Sequence, residues 1–154
     1  MRQLLEESFR AAVAAADPLK ILAPHLPQPP RGRTFVAAAG KAAASMALAV
    51  EQNFPSAVEG IAITRYGHGL LTNRVRVIEA GHPVPDEAGE SAAREILQRT
   101  KELKEEDLLL VLLSGGGSSL LSLPAEGVAM SGLKALTREL LRSGATIQIG
   151  RAHV

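Results

Sequence analysis

The sequence contains no cysteine, which excludes disulfides, thiolate metal sites and a cysteine nucleophile. Aromatic residues make up only 3% of it, so stacking platforms for nucleobases are not expected. Neither sign of charge is in excess: 17 basic and 16 acidic residues leave a formal net charge of +1. That balance suggests neither a nucleic-acid surface nor an acidic tail. No apolar run reaches the length of a membrane span. The start, Met1 to Glu7, carries acidic residues where a signal peptide would have its apolar centre. The expectation is a cytoplasmic protein without membrane or nucleic-acid partners. The 154 residues suffice for one domain with a real core, and no internal repeat is visible.

What is present centres on one stretch. Six apolar residues, Leu108 to Leu113, end abruptly in Ser114-Gly115-Gly116-Gly117-Ser118-Ser119. Such a run, bounded by turn residues, suits a strand buried on both faces of a parallel sheet. Three successive glycines remove every Cβ from the loop, so the backbone can take positive φ and approach a ligand closely. Consecutive N–H groups in such a loop can converge on an anion, and ligands of open α/β sheets bind beyond the carboxyl ends of strands. The stretch therefore reads as a phosphate or carboxylate cradle, against the alternative of a plain flexible turn.

The rest of the chain supplies the setting. Residues 2 to 16 have helical spacing, with Leu4, Leu5, Phe9, Val13 and Ala16 on one side. This helix is expected to pack beside the sheet, and Asp17-Pro18 interrupts it. Thr34 to Ala39 reads as a first strand, followed by Gly40-Lys41 and a helix over Ala42 to Asn53. A lysine at a helix amino terminus can hold an anion together with the terminal N–H groups, although Lys41 alone reads equally as a solvated surface residue. It does not belong to a nucleotide-binding P-loop, because position 35 is Phe and Ala42 stands where Ser or Thr is required. Val58 to Thr64 is a second strand, ending at Arg65-Tyr66-Gly67-His68-Gly69. That end could face a ligand; a glycine-rich turn with a solvent-facing His68 is the plainer reading. A third strand, Val75 to Ala80, ends at Gly81-His82-Pro83-Val84-Pro85-Asp86. Asp86 sits where a helix N-cap belongs, ahead of a helix over Glu87 to Lys101. His82, just past a strand end, is open between ligand contact and turn. The charged stretch Lys101 to Asp107 is expected to be solvated. A last helix begins near Ser131 and stops at Ser143-Gly144.

Alternating strands and helices predict an α/β fold with a layered parallel sheet flanked by helices. In a parallel sheet, Gly40-Lys41, Gly81-His82 and Ser114 to Ser118 all open at the same edge. That convergence says more than any single motif.

Several segments together resemble a known family. They are Ala39-Gly40-Lys41-Ala42-Ala43, Tyr66-Gly67-His68, Glu79 to Gly89 with its Gly-His-Pro-Val-Pro-Asp core, Leu112 to Ser118, and Thr137 to Ile147. The family is that of the glycerate 2-kinases of the MOFRL-associated type, often labelled hydroxypyruvate reductases. The resemblance implies a Rossmann-like, incomplete amino-terminal domain over residues 1–148, with a second, carboxy-terminal domain missing from this chain. It implies ATP-dependent phosphorylation of D-glycerate with Mg²⁺, in a cleft between the two domains. By motif match it makes Lys41 the active-site lysine and Ser114, Gly115, Gly116, Gly117 and Ser118 the phosphate-binding loop. His68 and His82 fall at the same strand ends and are taken as further substrate contacts; the metal ligands are not indicated. Residues 149–154 depart from the family and resemble a reading frame of a sequencing adaptor, so they are expected to be a tail foreign to the domain. Two rivals stay open: an NAD(P)H-dependent hydroxypyruvate reductase, and a non-catalytic domain binding a sugar phosphate or organic acid. Against the reductase, Leu120 stands where the third glycine of a dinucleotide fingerprint should fall.

Overall fold

The computed structural model describes residues 1–144 and 146; the expectation of a foreign tail at 149–154 lies outside them. Four strands, β1 (Thr34–Ala39), β2 (Val58–Arg65), β3 (Val75–Ala80) and β4 (Leu108–Leu113), form one all-parallel sheet in the order β3-β2-β1-β4. The fold is thus α/β with a parallel sheet between helices, as the alternation of elements predicts. β1 is central and every one of its residues is buried.

Two helices cover opposite faces of the sheet. Helix α3 (Ala43–Asn53) brings Ala43, Ala47 and Val50 onto Val36, Ala38, Ala62 and Leu112. Helix α4 (Glu87–Lys101) brings Ala92 and Ile96 onto Phe35, Ala37, Ile61 and Ile63. Small alanines on both helices let the layers approach closely, which suits a chain so poor in aromatics. Asp86 caps α4 as predicted: its Oδ1 accepts from the Gly89 N–H at 3.0 Å.

The direct connection from β2 to β3 is held down by one carboxylate. Glu51, near the end of α3, accepts from the N–H groups of Asn73, Arg74 and Val75 at 2.6 to 2.8 Å. Partial burial works against the charge, but these three bonds outweigh it and hold the Glu51 pKa below its usual value of 4.5. Glu51→Ala is therefore expected to cost about 2 kcal/mol at neutral pH, the range of charge-assisted bonds to a carboxylate. Since the folded-state pKa is depressed, that contribution is full above the unfolded value and disappears as pH falls through the folded one. Urea unfolding of both proteins should show a gap at pH 7 that narrows as pH falls below 4.5; a gap unchanged by acid would contradict this role.

Three expectations need correction. β4 is not buried on both faces but lies at the sheet edge, where Leu109, Val111 and Leu113 are 40%, 51% and 64% exposed. Their face points to the α4 side, and α4 lies over β2 and β3 instead. Helix α1 (Arg2–Ala15) does not pack on the sheet: none of its residues is buried, and Phe9 is 69% exposed. The link to the sheet is made by the short helix α2 (Pro18–Ile21) and by Leu22 and Leu26, which reach the α3 face. Finally, Asp107 is not solvated. Its carboxylate accepts from the backbone N–H groups of Arg33 at 2.8 Å and Lys104 at 2.9 Å and pairs with the Arg33 guanidinium. Those bonds, backbone first, hold its pKa below the usual aspartate value.

An exposed apolar edge strand is a template for pairing with another chain. Val111→Lys is expected to raise the concentration at which the protein self-associates. Sedimentation velocity over a concentration series tests this; identical association of wild type and variant would clear the β4 edge of the role.

Candidate functional site

The carboxyl ends of all four strands meet at one edge, and the loops there are bonded to each other. The Lys41 N–H donates to the Gly115 carbonyl at 2.9 Å, and the Ala42 N–H donates to Ser114 Oγ at 3.0 Å. The Ser114 hydroxyl thus caps α3 from another strand; Ala42, at the N-cap position, has no side chain able to do so. Gly40 has φ +128°, and a Cβ there would lie 2.2 Å from Ser114 Oγ, so the crossing of these two loops requires glycine.

The glycine loop turns tightly after β4. The Gly117 N–H closes the turn on the Ser114 carbonyl at 3.2 Å, and Gly116 takes φ +90° ahead of the single helical turn α5 (Gly117–Leu120). Among the described residues, the N–H groups of Gly115 and Gly116 meet no acceptor. Two side chains flank this pair. A Cβ on Gly115 would lie 3.6 Å from Lys41 Nζ, and one on Gly116 would lie 2.6 Å from His82 Nε2. An ammonium, an imidazole and two free backbone donors therefore surround a patch of bare backbone. This is the chemistry of an oxyanion or phosphate cradle.

His82 is half-buried. Burial, and then the charges of Lys41 and Arg65, push its pKa below the usual 6.5, more than contact with its own backbone raises it. Asp86, three residues past the His82–Pro83 peptide, which is cis, accepts from the Tyr66 hydroxyl at 2.8 Å as well as from Gly89. Partial burial opposes its charge, but bonds from Gly89, Gly81 and Tyr66 prevail and lower its pKa. The same bond, with the Asp86 charge, raises the pKa of Tyr66.

Of the residues singled out from the sequence, Lys41, His82 and Ser114 to Gly117 come together. Ser118 is exposed on α5 at the rim. His68 is not drawn in: it ends an exposed turn in which its N–H donates to the Arg65 carbonyl, with Gly67 at φ +76°. Sequence reasoning did not single out Arg65, which acts on His82 electrostatically, or the Tyr66–Asp86 bond joining the β2 and β3 loops. The basic and aromatic character of the β2 end was the available signal for both. Among the described residues no three His, Asp or Glu side chains gather as a metal site, and no helix is long and apolar enough to cross a membrane.

The chain is similar to known proteins over most of its length. The profile of DUF4147, described as a domain of unknown function, matches residues 4–149. A D-glycerate 2-kinase of Thermotoga maritima is 38% identical over 151 residues, covering 96% of this chain and 36% of the relative. A glycerate 2-kinase of Pyrococcus horikoshii is 41% identical over 117 residues, covering 76% of the chain and 26% of the relative. An Agrobacterium vitis protein, named only provisionally as a hydroxypyruvate reductase, is 46% identical over 147 residues, with coverages of 95% and 34%. The crystal structure of the Thermotoga maritima glycerate kinase superposes with a TM-score of 0.78 at 37% identity, over 95% of this chain and 36% of that one. A Pyrococcus horikoshii crystal structure gives 0.79 at 38% identity, with coverages of 96% and 36%. The chain spans about a third of the length of the curated relatives it matches.

Proposed function

The chain belongs to the DUF4147 family, in the amino-terminal domain it shares with glycerate 2-kinases, and on that premise we propose that it carries the phosphate-handling part of an ATP-dependent kinase that converts D-glycerate to 2-phosphoglycerate. The observation that carries this reading is the pair of unengaged N–H groups at Gly115 and Gly116, flanked by Lys41. Phosphoryl transfer depends chiefly on positioning and on neutralising charge on the transferring oxygens. Lys41 supplies the charge, and the glycine loop supplies donors that need no reorganisation. ATP is the phosphoryl donor in this reading, and the bare loop fits its phosphates. The Mg²⁺ implied by the family reading has no ligand set among the described residues.

The names of the relatives divide between kinase and reductase, and one residue favours the kinase. Leu120, at the place of the third glycine in a dinucleotide fingerprint, is fully buried in the core with Phe35 and Ile63. A helix that needs a large side chain there is not packed as that fingerprint requires.

The half-cleft formed by this chain leaves the cradle open to water, which weakens every charge interaction in it. ADP release on addition of D-glycerate and ATP is therefore expected from the protein extended to the length of its relatives, and not from the 154 residues alone. NADH consumption with hydroxypyruvate, and no ADP release, would replace the kinase reading with the reductase. Activity of the short chain equal to that of the extended one would contradict the need for a closing partner domain.

A further inference from the structure

We infer that His82 is the proton acceptor of this site, taking the proton of the substrate hydroxyl at Nε2 while Lys41 carries the anion. The inference rests on the kinase reading and assigns the hydroxyl-activating role within it. The two side chains flank successive glycines of one loop, Lys41 beside Gly115 and His82 beside Gly116. A group seated on the free N–H donors between them therefore meets an ammonium on one side and an imidazole on the other. An imidazole accepts a proton only while neutral, and the surroundings of His82 keep it so. Lys41 faces it from the β1–α3 turn and Arg65 from the end of β2. The carboxylate on its own loop, Asp86, is taken up by Tyr66 and by the start of α4, and among the described residues no carboxylate is bonded to the His82 ring. Partial burial acts in the same direction.

The step balances without a further reagent. The hydroxyl proton passes to His82 Nε2 as the hydroxyl oxygen bonds to the terminal phosphorus of the nucleoside triphosphate. The bond from that phosphorus to the bridging oxygen breaks, and the nucleoside diphosphate leaves with the electron pair. His82 then returns the proton to solvent. A base of this kind contributes on the order of a hundredfold or more to rate.

Two measurements test the role. In the 154-residue chain, the His82 ring signals followed by NMR should titrate below the reference value of 6.5 and move upward in K41A. A midpoint at or above 6.5 would overturn the inference. In the protein extended to the length of its relatives, H82Q should lower kcat about a hundredfold and erase the acidic limb of the wild-type kcat/KM profile; H82N serves if H82Q does not fold. An acidic limb that persists in the variant would remove His82 from proton transfer while leaving the kinase reading intact. Wild-type protein without ADP release would instead overturn the kinase reading itself.

Discussion

Lys41→Ala, made in the protein extended to the length of its relatives, is expected to lower turnover with D-glycerate by about a hundredfold and to leave folding unchanged. The size follows from losing one preorganised charge aimed at transferring oxygens, about 3 kcal/mol of transition-state stabilisation. The unchanged fold follows from what Lys41 does in the structure. Its side chain is exposed, and its structural bond, to the Gly115 carbonyl, is made by the backbone N–H and survives in alanine. Steady-state kinetics together with a urea midpoint separate the two effects. Unchanged kcat would remove Lys41 from the mechanism, and a large loss of stability would make it a structural residue.

Gly116→Val has the second largest expected effect, for two reasons that act together. The backbone there has φ +90°, which a β-branched residue adopts only under strain. The new Cβ would also lie 2.6 Å from His82 Nε2 and 2.7 Å from its Cδ2. The loop and the imidazole cannot both stay in place. Phosphate affinity is expected to fall at least tenfold, with a stability cost of about 1–3 kcal/mol from the strained backbone. Calorimetric titration with inorganic phosphate tests the first. Adding His82→Ala to Gly116→Ala should relieve the contact but not the strain, recovering part of the stability and none of the proton-accepting function. Equal phosphate affinity in Gly116→Val and wild type would mean that the triglycine stretch is only a turn.

The convergence of the candidate residues was legible in the sequence because parallel strands place their carboxyl ends at one edge. Once Thr34 to Ala39, Val75 to Ala80 and Leu108 to Leu113 are read as parallel strands, Lys41, His82 and the triglycine loop fall at the same edge of the sheet. Pairings between loops were not legible: Tyr66 and Asp86 are 20 residues apart, and nothing local marks their bond. Burial was the other limit. The pattern Leu-Leu-Leu-Val-Leu-Leu states what β4 can tolerate, not what covers it, and an interior sequence stands at an edge. The apolar periodicity of α1 is equally real, and its apolar face is exposed. Asp107 closes a run of charges that reads as solvated, yet its carboxylate is enclosed by N–H groups from Arg33 and Lys104. Arg33 lies 74 positions away along the chain, beyond the reach of any local pattern.

The central claim is that the loops of Lys41 and Gly115-Gly116 form one anion cradle at the carboxyl edge of the sheet. Amide NMR of the chain titrated with inorganic phosphate tests it most directly. The account predicts saturable shifts that are largest at Gly115 and Gly116, weaker at Lys41 and Ala42, and strongly reduced throughout in Lys41→Ala. Saturable shifts confined to another surface, such as the shallow depression along Leu70 to Val77 at the far end of β3, or no saturable shift at the glycine loop, would contradict it.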